Sequence, residues 1–120
     1  MSAANLIKSF GDSVTVRRYE PGAYVEAKWV DGAFAEFETI MSIQPLNGKD
    51  LLNLPEAQRA KNLMKGYASV ELKTVDEAAG RRADQVLYQG QWFEVQRVET
   101  WRDGNNNLDH WKVTLAEVNP

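Results

Sequence analysis

The sequence contains no cysteine and a single histidine in 120 residues. Without cysteine there is no disulfide framework, no thiolate nucleophile and no cysteine-based zinc site, so packing or association must hold the fold. The redox compartment is left undetermined. His110 stands between Asp109 and Trp111 in an alternating stretch. That spacing does not set a nucleophile, base and orienter on one face, so no catalysis is expected of it. Long apolar runs are missing too: nothing approaches the roughly 18 residues of a membrane span, and Met1 to Lys8 lacks the basic then apolar run of a secretory signal. A soluble protein of a cytoplasm is the expectation. Gly11, Gly22, Gly32, Gly48, Gly66, Gly80, Gly90 and Gly104 each stand singly, which excludes a glycine-rich phosphate cradle. The adjacent carboxylates Asp76 and Glu77 point apart and fit neither paired acid–base work nor a calcium loop. Catalytic residues, metals and cofactors are therefore all expected to be absent. Positive charge is also in deficit: 14 Lys and Arg against 17 Asp and Glu leave −3, the wrong sign for a protein living by counterion release from nucleic acid.

What remains is enough for one compact domain. Hydrophobic residues make up 43%, with 4 Trp, 4 Tyr and 4 Phe to fill a core. Leu6, Ile7 and Phe10 suit a short N-terminal helix that Gly11 stops. From Ser13 the period becomes two. Val14 and Val16 alternate with Thr15 and Arg17, Glu20-Pro21-Gly22 supplies a turn, and Ala23, Val25, Ala27 and Trp29 share a face of a second strand. A third strand over Phe34 to Ile43, with Phe37, Met41 and Ile43 on one side, completes an expected meander. A helical insertion is expected over about 45–65, between Pro45 and Lys65, with Asn47 and Pro55 as start signals and Gly66 as the stop. Strand character returns at Tyr67 to Thr74, at Gln85 to Gln89 and from Gln91 to Trp101, with Gly90 marking a tight turn. Apolar groups on both faces of that last run suggest a curled, enclosed sheet. Asp103 to Asn107 turns the chain into a final strand carrying Trp111, Val113 and Leu115. The fold class expected is mainly β: a small antiparallel β-barrel with a short helical insertion and a short N-terminal helix, in one domain over 1–120.

Asp76 to Asp84 has no apolar periodicity and reads as an exposed, mobile loop. It carries Arg81-Arg82, one of two basic doublets; the other is Arg17-Arg18. Arginine offers a planar fork for phosphate or carboxylate, although a solvated surface accounts for either pair. Trp29, Trp92 and Trp111 are expected in the core and Trp101 at the surface.

The order ANLIKSFGDSVTVRRY, YVEAKWVDG, SIQPLNGKDLLNLPEAQR, TVDE and VLYQGQWFEVQRVETW, from about Leu6 to Val113, resembles the head completion or head-tail connector proteins of tailed bacteriophages, the head-closure or stopper group. Gln44-Pro45-Leu46 through Leu54-Pro55-Glu56 and Arg59, then Tyr88 to Trp92 with Val95, carry most of that resemblance. It implies a structural virion protein, not an enzyme: a compact barrel forming a homo-oligomeric ring in the virion neck, made in the host cytoplasm and helping to retain or gate packaged DNA. The implied partners are copies of itself, the portal or adaptor protein, a tail or tail-terminator protein and double-stranded DNA in the channel, with no membrane. By the same resemblance Asp76, Glu77, Gly80, Arg81 and Arg82 fall on a loop facing the channel. Gln44, Pro45, Leu46, Leu51, Leu52, Leu54 and Arg59 are assigned to subunit or adaptor contact, since a Leu-rich segment on a sheet edge can anchor in a partner groove. Those leucines equally suit a cap on the barrel. Exposed sheet edges, on this reading, are hidden by ring contacts. A small barrel binding single-stranded nucleic acid through Tyr88, Trp101 and Arg102 is the alternative, weakened by the missing positive track.

Overall fold

Alternation from Asp12 onward produces strands, but they pair differently from a meander. The computed structural model describes residues 11–46, 49, 52, 62–105 and 108–118. Its elements are β1 (Asp12–Tyr19), β2 (Ala23–Val25), β3 (Lys28–Val30), β4 (Phe34–Pro45), β5 (Leu63–Ala68), β6 (Gln85–Tyr88), β7 (Gln91–Arg102) and β8 (Leu108–Glu117). Six of them close an antiparallel barrel in the order β1-β4-β5-β8-β7-β6, while β2 and β3 form a separate two-stranded hairpin. The expected barrel is therefore present. The expected free edges are largely not, because β1 joins β6 through Thr15 to Arg17 and closes the sheet on itself.

The expected second strand is in fact two. Glu26 and Ala27 turn the chain with φ of 51° and 66°, the positive values of a mirror-image hairpin turn. Glu-Ala carries none of the Asn-Gly chemistry that normally signals such a turn, so the alternation reads straight through it. In consequence Ala27 sits in the turn rather than on a face with Val25 and Trp29. Meanwhile β1 pairs directly with β4, from Asp12↔Met41 to Tyr19↔Phe34. The turn at Gln89 and Gly90, with φ of 50° and 77°, links β6 and β7 as expected.

The core fills the barrel. Val14, Val16, Met41, Val86, Phe93, Val95, Val113 and Leu115 point inward from the strands, and Phe37 and Ile43 pack against them. Six strands leave too little bore for a channel, since barrel diameter grows with strand number and eight strands are already filled by side chains. The alternation along β7 is interrupted between Val95 and Arg97, where the register to β8 shifts. That bulge turns Val98 into the core beside Phe93 and Val95, although strict alternation would place it on the opposite face.

No helix is among the elements of the described residues. The expected N-terminal helix, and most of the insertion over 45–65, lie outside them. The insertion's borders are corrected: Pro45 ends β4 and Leu63 to Lys65 open β5, paired from Pro45↔Met64. Gly66 is consequently mid-strand, not a helix stop. It lies where Met41 crosses the core: a Cβ there would meet Met41 Cε at 2.9 Å and Val113 Cγ2 at 3.1 Å. The Gly66→Ala variant should lose about 1–3 kcal/mol to overpacking, read as a lower urea midpoint. Gly104→Ala, with nothing within 4 Å of the added carbon, should leave the midpoint in place.

After Ala68 the chain leaves the sheet, so the strand expected over Tyr67 to Thr74 ends early. The segment from Val70 to Val75 crosses the barrel end instead, with Leu72 buried in the core.

Candidate functional site

The barrel separates the two groups of residues singled out in the sequence. Gln44 and Pro45 close β4 where β5 begins, at one end. Phe34 opens β4 opposite Tyr19, and residues 76–84 are attached at that other end: the Gly22 N–H donates to the Gly80 carbonyl at 2.9 Å.

At the first end Gln44 and Pro45 are exposed, whereas Leu46 packs against the small buried cluster of Leu63 and Ala116. Leu46 thus caps its own barrel. Leu52 is 74% exposed. Leu51, Leu54 and Arg59 lie outside the described residues.

At the second end the 76–84 stretch is more structured than its composition suggests. Asp76 and Arg81 exchange backbone hydrogen bonds of 3.0 and 2.9 Å, and Asp76 Oδ1 accepts the Ala79 N–H. Gly80 has a φ of 65° and lies under the Trp29 ring, whose Cη2 would stand 2.6 Å from an added Cβ. Ala83 and Asp84 are buried, which corrects the expectation of an exposed loop along its whole length. Composition could not show this, because the partner of Asp84 is distant in sequence. Arg18 donates from Nε at 3.2 Å to both carboxylate oxygens and from Nη2 at 2.8 Å, and the Lys73 N–H adds a bond of 2.9 Å. The Asp84 backbone extends the staple, its N–H donating to the Lys73 carbonyl and its carbonyl accepting from Val95. The hydrogen bond to Asp84 raises the Arg18 pKa above its already high ordinary value, more than offsetting the effect of burial.

Most of the basic doublets are committed internally. Arg17 lies over the rings of Phe34 and Trp92, at 4.2 and 4.1 Å, and pairs with Glu36 at 3.1 Å. Arg82 reaches Asp31 at 3.5 Å and covers Tyr19. Arg81 differs: its Nε is buried without a hydrogen-bond partner among the described residues. Adjacent residues therefore do not form one cationic patch.

The same end carries exposed aromatics. Tyr24 is 75% and Trp29 46% exposed, paired edge to face at 5.2 Å. Trp29 is thus not a core residue: its hairpin lies outside the barrel sheet, and its ring is covered in part by Gly22, Tyr24 and Gly80. Trp92 and Trp111 are half-buried. Trp101 is 49% exposed, as expected, and stacks on His110 at 5.8 Å. His110, itself buried, donates from Nδ1–H to the Asp109 Oδ2 carboxylate oxygen at 2.8 Å and has Tyr67 on another side. Tyr88 pairs with Gln91 at the start of β7, so it stands roughly 30 Å from Trp101 at about 3.4 Å per residue. Tyr88, Trp101 and Arg102 do not assemble into one stacking platform.

No group of three or more His, Asp or Glu among the described residues is placed to hold a metal ion. No protein-family model and no curated protein matches the chain.

Proposed function

We propose that the protein is a structural component of a tailed-bacteriophage neck, a head-completion or connector subunit that joins copies of itself in a ring between the portal or adaptor and the tail. The sequence resemblance is the source of this reading. The observation that carries it furthest is the two-ended layout: exposed Gln44 and Pro45 at one barrel end, and the aromatic hairpin with the 76–84 stretch at the other. A subunit that bridges two different partners needs separate surfaces on a rigid body, and a closed barrel supplies that rigidity.

The exposed apolar residues of the hairpin add support. Tyr24, Val25, Trp29 and Val30 are all outward, and such clusters mark interaction surfaces more often than scattered ones do. The filled bore of a six-stranded barrel puts any DNA path between subunits, not through one of them. An acidic balance of −3 would let duplex DNA pass such a path without sticking.

Cosedimentation with DNA-filled, tailless capsids tests the reading. The expected result is saturable binding to heads that bear a portal, and loss of infectious particles when the protein is withheld from assembly. Absence of binding to both heads and tails, or normal maturation without it, ends the proposal.

A further inference from the structure

An aspartate followed by glycine can react with its own backbone. The carboxyl carbon and the next amide nitrogen are spaced to close a five-membered ring, and glycine lacks the Cβ that hinders their approach. The sequence has two such pairs, Asp31-Gly32 and Asp103-Gly104. The related Asn47-Gly48 lies outside the described residues. By sequence the two aspartates are alike, and the fold sets them in opposite circumstances.

At the first pair the carboxylate is drawn toward other residues: Asp31 Oδ1 accepts the Trp29 indole N–H at 3.0 Å, and Oδ2 lies 3.5 Å from Arg82 Nη1. The glycine is walled in as well. A Cβ on Gly32 would run into the Glu20 and Pro21 carbonyls, and the Glu20 N–H donates to the Ala33 carbonyl at 2.8 Å. The Gly32 peptide therefore has no room to turn its nitrogen toward Asp31.

At the second pair the carboxylate points forward along the chain, since Asp103 Oδ1 accepts the Asn105 N–H at 2.8 Å. That bond folds the carboxyl over the Gly104 peptide. Asp103 and Gly104 are both exposed, and a Cβ on Gly104 would meet nothing within 4 Å. The β7–β8 ladder ends at Arg102↔Leu108 among the described residues, so the turn can rotate without breaking a strand pair.

We propose that Asp103-Gly104 is a site of spontaneous backbone isomerisation, and that the fold protects Asp31-Gly32 from the same reaction. The Gly104 nitrogen attacks the Asp103 Cγ and loses its proton; the C–N bond forms as the carboxyl C–O bond breaks, and the hydroxyl leaves as water. Water then opens the cyclic imide. Cleavage at Cγ restores aspartate, whereas cleavage at the former main-chain carbonyl routes the chain through Cβ and gives isoaspartate. One water leaves and one returns, so no other reactant is needed. The product keeps its charge and gains one main-chain atom beside Arg102↔Leu108. The inference does not depend on the neck reading.

The test ages the whole protein for several weeks at body temperature and neutral pH, folded in buffer or unfolded in guanidinium. Digestion and electron-transfer fragmentation then separate isoaspartate from aspartate at each position. Isomerisation leaves a peptide's mass unchanged, whereas deamidation at Asn47 raises it, so the two reactions are scored apart. In the folded protein isoaspartate should form about 10-fold faster at residue 103 than at residue 31. In guanidinium the two rates should agree within about 2-fold, because orientation is then lost. Gly104→Ala should slow residue 103 by about 10-fold through the added Cβ and leave residue 31 unchanged. Equal rates in the folded protein, a folded chain that spares residue 103 while the unfolded chain isomerises there, or an unchanged rate in Gly104→Ala would overturn it. The folded and unfolded arms use the unaltered chain, so a poorly folded variant cannot mask the result.

Discussion

Replacing Asp84 with Ala should destabilise the protein by about 2–3 kcal/mol, less than the full cost of stranding a buried charge because the Arg18 side chain left behind is 32% exposed. Asp84 is 1% exposed and accepts hydrogen bonds from Arg18 and from the Lys73 amide. Its backbone simultaneously bonds Lys73 and Val95. The residue therefore ties β1, the crossing segment and β7 together at one barrel end. Truncation leaves the Arg18 guanidinium facing a hole, with only the Glu71 carbonyl still accepting from it at 3.0 Å. Urea denaturation gives the measurement. A double replacement, Arg18→Met with Asp84→Leu, should recover much of the loss, because apolar pairs of similar volume often substitute for buried ion pairs without penalty. A loss below about 1 kcal/mol in Asp84→Ala would mean that solvent supports the arginine in place of the carboxylate.

The pH dependence of this pair has a definite sign on the arginine side. The folded pKa of Arg18 is raised, so its contribution is fully present below the ordinary arginine range and is lost only as pH climbs above it. Between about pH 6 and 9 the arginine stays charged in both folded and unfolded chains. The stability gap between the native protein and Asp84→Ala should accordingly be flat across that interval. A slope there would assign part of the effect to some other group.

Leu72→Ala should cost about 3 kcal/mol, within the range for a fully buried leucine cut back to its Cβ. Leu72 is not on a strand. It enters the core from the segment that crosses the barrel end, so the lost volume lies at the mouth of the barrel. The effect should go beyond a lower urea midpoint: faster hydrogen exchange is expected at the Lys73 and Asp84 amides, whose bonds hold that segment. Unchanged exchange at both amides would show that Asp84 alone secures the crossing.

The contrast between these two residues marks how far the sequence could be read. Leu72 sat inside an alternating run, and its burial agrees with that pattern even though its strand does not. Asp84 sat in a polar stretch with a glycine and two arginines, and no pattern foretold that it would be buried. Its partner Arg18 is 66 positions away. Likewise the split of Arg81 from Arg82, and the orphaned Nε of the first, follow from which wall each side chain meets and not from the doublet.

By itself the sequence determined the β class, the enclosed sheet, the β6–β7 turn at Gly90 and the apolar sets of β1, β4 and β8, because side-chain period and turn chemistry are local properties. It also determined the exposure of Trp101, beside a polar turn. Only the tertiary structure decided that β1 closes on β6, that Ala23 to Val30 is a separate hairpin with Trp29 outside the core, and that the bulge after Val95 turns Val98 inward. Those outcomes depend on which distant backbone groups find partners. The Glu-Ala turn, the crossing of Leu72 and the staple at Asp84 each satisfy such groups from far along the chain, and no local pattern encodes a partner of that kind.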